Sequence, residues 1–137
     1  MAKYYLDTSI WIDYYENRSD RFRPLGEWAF RFIKKTVSNQ DQIIISDLLI
    51  AELKKRYSAE TIQQIFEIVD LHLLIHIEVS SRQDNEAIHI NNQRGVGYAD
   101  SLHAILARDN GAILITRDKH FAELNDIVLS KKPEELL

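Results

Sequence analysis

Short apolar runs alternate along this chain with segments of helical spacing, and this alternation limits the folds that the chain can adopt. The runs are Tyr4–Leu6, Ile43–Ile45, Leu73–Val79 and Ala112–Ile115, with Ile127–Leu129 as a candidate fifth. Short apolar runs are typical of strands that are covered on both faces. The alternation therefore predicts an α/β fold with a mostly parallel sheet, against whose faces right-handed crossovers place the helices.

The intervening segments contain the expected helices. They are Ile10–Tyr15, a helix opened by Pro24, Leu48–Leu53, a helix capped by Ser58 and running to Val69, Ser81–Arg94, a helix around Leu102–Leu106 that stops at Asn110-Gly111, and the short Lys119–Leu124. In Leu73–Val79, apolar and polar residues alternate, which predicts a half-exposed strand near an edge of the sheet.

Length and composition restrict the class of protein. The 137 residues are expected to form a single domain, 1–137. No apolar run approaches the roughly 18 residues that span a bilayer, and acidic residues inside the first apolar segment argue against a signal peptide. The chain has no cysteine and a net charge of −4. We therefore expect a protein without a membrane segment, suited to the reducing cytoplasm, whose surface as a whole does not attract nucleic acid.

Four acidic residues are expected to meet at one edge of the sheet. Asp7 and Asp118 follow two predicted strands, Glu52 lies on the helix after the second strand, and Asp100 lies in the first turn of the helix before the fourth. Ligands of open parallel sheets bind outside the carboxyl ends of the strands. Taken singly, these acids have structural explanations: Asp7 and Asp118 as helix caps, Asp100 opposite a helix dipole, and Glu52 in solvent.

Convergence of the four acids would require compensating charge. Two carboxylates ~4 Å apart repel by about 4 kcal/mol at an effective dielectric constant near 20. Protons or cations can offset that repulsion, and an all-oxygen site suits Mg²⁺ or Mn²⁺. Such ions activate water and stabilise a leaving oxygen during phosphodiester cleavage.

The same residues give the chain a resemblance to PIN-domain ribonucleases. The ordered pieces are Leu6-Asp7-Thr8-Ser9, then Ser46 with Glu52, then Ala99 to Ala104, then Thr116 to Phe121. The similarity extends from about Tyr4 to Leu129. It implies a three-layer α/β/α sandwich with strand order 3-2-1-4-5 and a Mg²⁺- or Mn²⁺-dependent endoribonuclease. It also implies that Asp7, Glu52, Asp100 and Asp118 form the catalytic metal site, supported by Ser9 and Thr116.

The compact chain is similar in size to VapC-type toxins of toxin–antitoxin pairs. This resemblance implies a homodimer that cleaves RNA and is held inactive by a small antitoxin. Two other functions remain open from the residues: an acidic-site phosphatase or phosphotransferase, and a non-catalytic partner-binding module with the PIN fold. Against phosphotransfer, Asp7-Thr8-Ser9 lacks a second aspartate two residues after the first.

Several basic residues near the acids have two interpretations each. His103 lies three residues after Asp100 on the same helical face, so it either orients Asp100 or a metal-bound water, or packs within the helix layer. Arg117, Lys119 and His120 flank Asp118, where they either contact RNA phosphate or form ordinary surface charge.

Overall fold

One parallel sheet of five strands, in the order β3-β2-β1-β4-β5, forms the centre of the protein in a computed structural model that describes Met1–Leu137. The strands are β1 (Lys3–Leu6), β2 (Gln42–Ser46), β3 (Leu74–Ile77), β4 (Ile113–Ile115) and β5 (Ser130–Lys131). Every neighbouring pair is parallel. The prediction of a mostly parallel α/β fold and the strand order implied by the resemblance are both confirmed.

Helices connect all but the last pair of strands. They are α1 (Thr8–Glu16), α2 (Leu25–Ser38), α3 (Asp47–Lys54), α4 (Ala59–Phe66), α5 (Ser81–Arg94) and α6 (Tyr98–Asp109). Short 3-10 helices cover Leu71–Leu73, Lys119–Leu124 and Pro133–Leu136. None of the helices combines the length and the apolar character needed to cross a membrane.

Two apolar cores lie on opposite faces of the sheet, because successive strand residues point to opposite sides. Leu6, Ile43 and Ile115 belong to the core beneath α1 to α4. Their neighbours Tyr5, Ile44 and Leu114 belong to the core beneath α5 and α6. The fold is therefore the three-layer α/β/α sandwich that the resemblance implied.

Local sequence signals set several helix boundaries. Ser58 caps α4 by accepting a hydrogen bond from the backbone N–H of Thr61, as predicted. Gly111 has a φ of +65°, a left-handed conformation that suits glycine, so the predicted stop after α6 is confirmed at this residue. The helix capped by Ser58 ends at Phe66 rather than Val69.

The predicted fifth strand was placed too early in the sequence. Ile127–Leu129 is not a strand, and β5 consists of Ser130–Lys131. The backbone N–H groups of Ile127 and Val128 instead bond back to the carbonyl of Leu124, and Val128 is buried in the core beneath α6. These apolar residues therefore pack on the core from a turn and not from a strand. The third strand is likewise shorter than predicted, although its position at the edge of the sheet is confirmed.

Adjacent central strands bring together segments that are far apart in the chain. Leu6 of β1 pairs with Ile115 of β4, and the backbone N–H of Asp7 donates to the carbonyl of Ile115 over 3.0 Å. Both strands end at this level, so Asp7 and the segment Thr116–Asp118 leave the sheet side by side. This edge carries the candidate site.

Candidate active site

A cavity of about 180 Å³ opens at the carboxyl edge of β1 and β4. The four predicted acids all line it: Asp7, Glu52, Asp100 and Asp118. They come from the end of β1, from α3, from α6 and from the loop after β4. The remaining lining residues are Thr8, Ser9, His103 and Phe121. The structure therefore brings the four carboxylates to one pocket, as the strand topology predicted.

Asp7 is buried and held on both carboxylate oxygens. Its Oδ1 accepts hydrogen bonds from the backbone N–H of Ser9 at 2.6 Å and from the Ser9 hydroxyl at 2.7 Å. Its Oδ2 accepts a hydrogen bond from the Thr116 hydroxyl. The Thr116 oxygen accepts in turn from the backbone N–H of Asp118 at 3.1 Å. Ser9 and Thr116 thus fix Asp7, and Thr116 also joins it to the loop that carries Asp118.

Glu52 is positioned through a single oxygen atom. Its Oε1 accepts hydrogen bonds from the Thr8 hydroxyl at 2.5 Å and from Nε2 of His103 at 2.6 Å. Burial acts to raise the pKa of Glu52, but the hydrogen bond and electrostatic effect of His103, with the Thr8 hydrogen bond, hold it below its ordinary value. The carboxylate is therefore ionised, and its Oε2 accepts no hydrogen bond from the protein.

His103 belongs to a buried hydrogen-bonded chain that ends at Glu52. Its Nδ1 lies 2.7 Å from the Tyr5 hydroxyl, which lies 2.6 Å from the Ser46 hydroxyl. A carboxylate only accepts, so Nε2 carries the proton directed at Glu52. Burial raises the pKa of Tyr5, which keeps the phenol neutral. His103 therefore orients Glu52, and it makes no hydrogen bond to Asp100, the residue suggested by helical spacing.

Asp100 and Asp118 lie close together, with His120 beside them. One ligand atom from each of Asp100, Asp118 and His120 lies within 4.8 Å of the other two. Burial raises the pKa of Asp100, and the negative charges of Asp118 and Asp7 raise it further against the opposing effect of His103. Ionised Asp100 is therefore under electrostatic strain that a cation would relieve. His120 joins this group because Asp118 caps the 3-10 helix Lys119–Leu124, accepting from the backbone N–H of His120 at 2.9 Å.

The donor set fits a hard divalent cation. Glu52 Oε2, Asp118 Oδ2 and both oxygens of Asp100 accept no hydrogen bond from the protein, so they are available as ligands. Carboxylate oxygens are the ligands that Mg²⁺ and Mn²⁺ prefer, whereas imidazole nitrogen is more typical of zinc, iron or nickel. The His120 side chain is also 74% exposed. The acids, rather than His120, therefore determine which ions fit.

The Arg117 side chain makes its contacts inside the protein and is not available to bind RNA. Its guanidinium donates to both carboxylate oxygens of Glu134 at 2.7 and 2.9 Å and lies 5.5 Å from the ring centre of Trp28. Its side chain is only 11% exposed. The interpretation of Arg117 as an RNA phosphate contact was therefore wrong, because a carboxylate 17 residues further along the chain occupies its hydrogen-bonding edge.

The family model described as PIN domain matches residues 4–127. The chain belongs to the PIN domain family. That match covers the ends of β1 and β4 as well as α3 and α6, so all four acids of the pocket lie within it.

Solved structures share this PIN fold over nearly their whole length. A chain of VapBC2 from Rickettsia felis, bound to a DNA fragment from their promoter, has a TM-score of 0.68 and 22% identity, covering 95% of this chain and 98% of that one. A chain of VapBC-1 from nontypeable Haemophilus influenzae has a TM-score of 0.67 and 22% identity, covering 96% and 98%. A toxin–antitoxin complex from Klebsiella pneumoniae gives a TM-score of 0.64 at 19% identity, covering 97% and 98%. No curated protein sequence matches the chain.

Proposed function

We propose that this PIN domain is a Mg²⁺- or Mn²⁺-dependent endoribonuclease that cleaves RNA phosphodiester bonds as a VapC-type toxin. The observation that carries the proposal is the convergence of Asp7, Glu52, Asp100 and Asp118, from four separate elements, on one cavity. Membership of the PIN domain family supports it, as does the match in fold to chains of toxin–antitoxin complexes.

The four acids would hold the divalent ion, and ligand atoms of Asp100 and Asp118 lie within 4.8 Å of each other. A bound Mg²⁺ or Mn²⁺ supplies Lewis-acid chemistry, lowering the pKa of water and neutralising charge on the phosphoryl oxygens. The protein contributes fixed ligand directions. Ser9 and Thr116 immobilise Asp7. Thr8 and His103 both donate to Oε1 of Glu52, so Oε2 has no hydrogen-bond partner.

In the reaction, water attacks the phosphorus of the RNA backbone and the bond from phosphorus to one bridging ribose oxygen breaks. The water's proton is released, and the departing ribose oxygen takes up a proton to become a hydroxyl. Rigid carboxylates favour this step because the charged ligands need no reorganisation as negative charge moves to the leaving oxygen.

Cleavage of a 5′-labelled single-stranded RNA by the purified protein tests the proposal. We expect internal cuts with Mn²⁺ that a chelator stops. Asp100→Asn and Asp118→Asn should each slow cutting roughly a hundredfold or more while the protein stays folded. Asp70→Asn is the matched control, because Asp70 is exposed and makes no side-chain capping bond. Undiminished cutting by Asp100→Asn would remove that residue from the mechanism.

The geometry disfavours the phosphotransfer alternative. A nucleophilic aspartate needs an accessible oxygen, whereas Asp7 is 5% exposed and both of its oxygens accept hydrogen bonds. The non-catalytic partner-binding module differs from the nuclease in a single readout, since it predicts no metal-dependent cutting of RNA under any condition of the assay above.

The proposed toxin acts in the cytoplasm as a homodimer and is inhibited by a small antitoxin protein. The toxin–antitoxin complex from Klebsiella pneumoniae, which shares the fold, supports the existence of such a partner. We expect a short open reading frame next to the gene. Its product should co-purify with this chain and block the cutting of RNA. Light scattering on the purified chain tests the dimer, for which we expect twice the 16.0 kDa of one chain.

A further inference from the structure

A second cavity, of about 250 Å³, adjoins the acidic pocket. The two cavities share one lining residue, Asp118. The second is built from the loop after β4, the 3-10 helix Lys119–Leu124 and the edge strand β5. A ligand that contacts Asp118 in one cavity therefore lies at the edge of the other.

Three lysines give the second cavity its chemistry. Lys119, Lys131 and Lys132 line it, and none of them forms a salt bridge. The neutral hydrogen-bonding side chains of Asn125 and Ser130 lie in the same lining. We call this cavity, lined by Lys119, Lys131, Lys132, Asn125 and Ser130, the lysine pocket.

Arg117 does not contribute free charge to the lysine pocket, because Glu134 neutralises it. The carboxylates in the lining are Asp118 and Glu135. Glu134 also lies near Lys132, but both of its oxygens accept hydrogen bonds from Arg117. When Asp118 binds a cation, one carboxylate opposes three lysines. Ammonium groups without carboxylate partners, beside hydroxyl and amide groups, are suited to a phosphate, since lysine binds phosphate as a point charge.

We propose that the lysine pocket binds the backbone phosphate next to the one that is cleaved. The RNA strand then passes over Asp118, with the scissile phosphate at the acids and its neighbour at the lysines. This inference rests on the proposed ribonuclease function and adds a direction in which the strand leaves the acidic pocket. It also explains how a chain of net charge −4 holds RNA: positive charge is concentrated beside the acids rather than spread over the surface.

Binding of RNA without cleavage tests the lysine pocket separately from catalysis. The full chain carries Asp100→Asn, and fluorescence anisotropy follows a labelled single-stranded oligoribonucleotide in Mg²⁺ over a range of salt concentrations. The test variant adds Lys119→Gln, Lys131→Gln and Lys132→Gln. The matched control adds Lys3→Gln, Lys34→Gln and Lys54→Gln, which removes the same charge at exposed lysines outside both cavities.

The test variant should bind roughly tenfold more weakly than the parent, about equally for different RNA sequences. Loss of one phosphate contact should also lower the slope of log K against log salt by about 0.7. The control should keep most of its affinity and the parent slope. Equal losses in both variants would overturn the proposal, because net charge alone would then explain binding.

Folding and catalysis are checked independently. Circular dichroism compares the variants, and if the triple variant does not fold, Lys119→Gln and Lys132→Gln are tested singly because both side chains are exposed. Each should weaken binding roughly twofold to threefold. If the unmodified chain cuts no RNA but the test variant alone loses affinity, the ribonuclease proposal fails and the lysine pocket stands only as a site for an RNA phosphate. If the chain cuts RNA and both triple variants bind alike, the ribonuclease proposal stands and the lysine pocket proposal fails.

Discussion

Nε2 of His103 lies 2.6 Å from Oε1 of Glu52, across 51 residues of sequence, and the histidine is itself held by Tyr5. Replacing His103 with alanine removes this donor and leaves the Glu52 carboxylate held by the Thr8 hydroxyl alone. Loss of a residue that orients a metal ligand typically costs about 10- to 100-fold in metal affinity or activity. We therefore expect His103→Ala to need more Mn²⁺ for half-maximal cutting and to cut more slowly at saturation.

The matched control for that experiment is His89→Ala, because His89 is exposed on α5 and makes no side-chain hydrogen bond. It should leave both the Mn²⁺ requirement and the maximal rate unchanged. Equal Mn²⁺ titrations for His103→Ala and the unmodified protein would show that Glu52 does not depend on the histidine.

Tyr5→Phe tests the far end of the same chain. The phenylalanine fits the same space but leaves Nδ1 of His103 without its buried partner, while the Ser46 hydroxyl keeps only the hydrogen bond from the backbone N–H of Leu49. Leaving buried polar groups unsatisfied costs about 1–3 kcal/mol, so we expect a loss of that size in the free energy of unfolding in urea. Tyr14→Phe, whose hydroxyl makes no hydrogen bond, should change it by no more than about 0.5 kcal/mol. Equal stabilities for the two variants would contradict the role of the buried chain.

Glu134→Gln tests the pair with Arg117. Burial acts to raise the pKa of Glu134, but hydrogen bonds from Arg117 hold it below its ordinary 4.5. The pair's stabilisation is then complete above about pH 4.5 and is lost as the pH falls through the lowered folded-state pKa. We expect Glu134→Gln to lose about 2 kcal/mol at pH 7, where it leaves a largely buried guanidinium half satisfied.

Urea unfolding at pH 7 and pH 3 measures this pH dependence. The difference between the unmodified protein and Glu134→Gln should shrink at the lower pH, because pH 3 lies below the ordinary pKa of 4.5 and the carboxyl is then protonated in the unfolded chain. A difference that stays constant would mean that charge has no part in the pair. Both proteins should unfold in one transition if the chain is a single domain, as its length predicts.

Asp100→Asn should stabilise the protein in the absence of metal. The ionised carboxylate is disfavoured by burial and by Asp118, which raises its pKa, so removing its charge at pH 7 relieves that strain. We expect a gain of about 1 kcal/mol in the free energy of unfolding. Thermal melts with and without Mn²⁺ complete the test: Mn²⁺ should raise the melting temperature of the unmodified protein more than that of the variant, which keeps three of the four acids. An unmodified protein indifferent to Mn²⁺ would argue against the metal site.

Gly26→Ala should destabilise the contact between α1 and α2. A Cβ on Gly26 would lie 2.5 Å from the Cα of Asn17, which is backbone and cannot move aside cheaply. Crowding of this kind costs about 1–3 kcal/mol. Gly97→Ala is the control, because its Cβ would meet nothing closer than Asp100 Oδ2 at 3.8 Å. Unchanged urea unfolding of Gly26→Ala would mean that the two helices separate easily.

The positions of Asp7 and Asp118 could be predicted from sequence because each follows a short apolar strand, and parallel strands end at one edge. Glu52 and Asp100 followed from helices next to those strands. The partners of His103 could not be predicted. Helical spacing places it beside Asp100, but the decisive hydrogen bonds come from Tyr5 and Glu52, which only tertiary packing brings near. A histidine inside a run of buried helix residues was the available signal.

Two other features depended on long-range contacts as well. Arg117 gives no local indication that Glu134 will neutralise it, because the chain returns only after the last strand. The sequence places His120 two residues after Asp118 but does not predict that it lies beside Asp100. Asp118 accepts a hydrogen bond from the backbone N–H of His120, which holds that residue near the acids. The fifth strand was misplaced because Val128 is buried in the core although it lies in a turn. An apolar run alone does not distinguish such a turn from a strand.

The acidic pocket straddles the sheet: Glu52 belongs to the helical layer on one face, Asp100 to the layer on the other, and Asp7 and Asp118 leave the strands between them. The gap between Glu52 and Asp100 is thus set by how the two outer layers register on the central one. If one helical layer slides by a fraction of an ångström along the sheet, the distances between the acidic side chains change. Such a shift would alter the metal-ligand geometry without any atom entering the pocket.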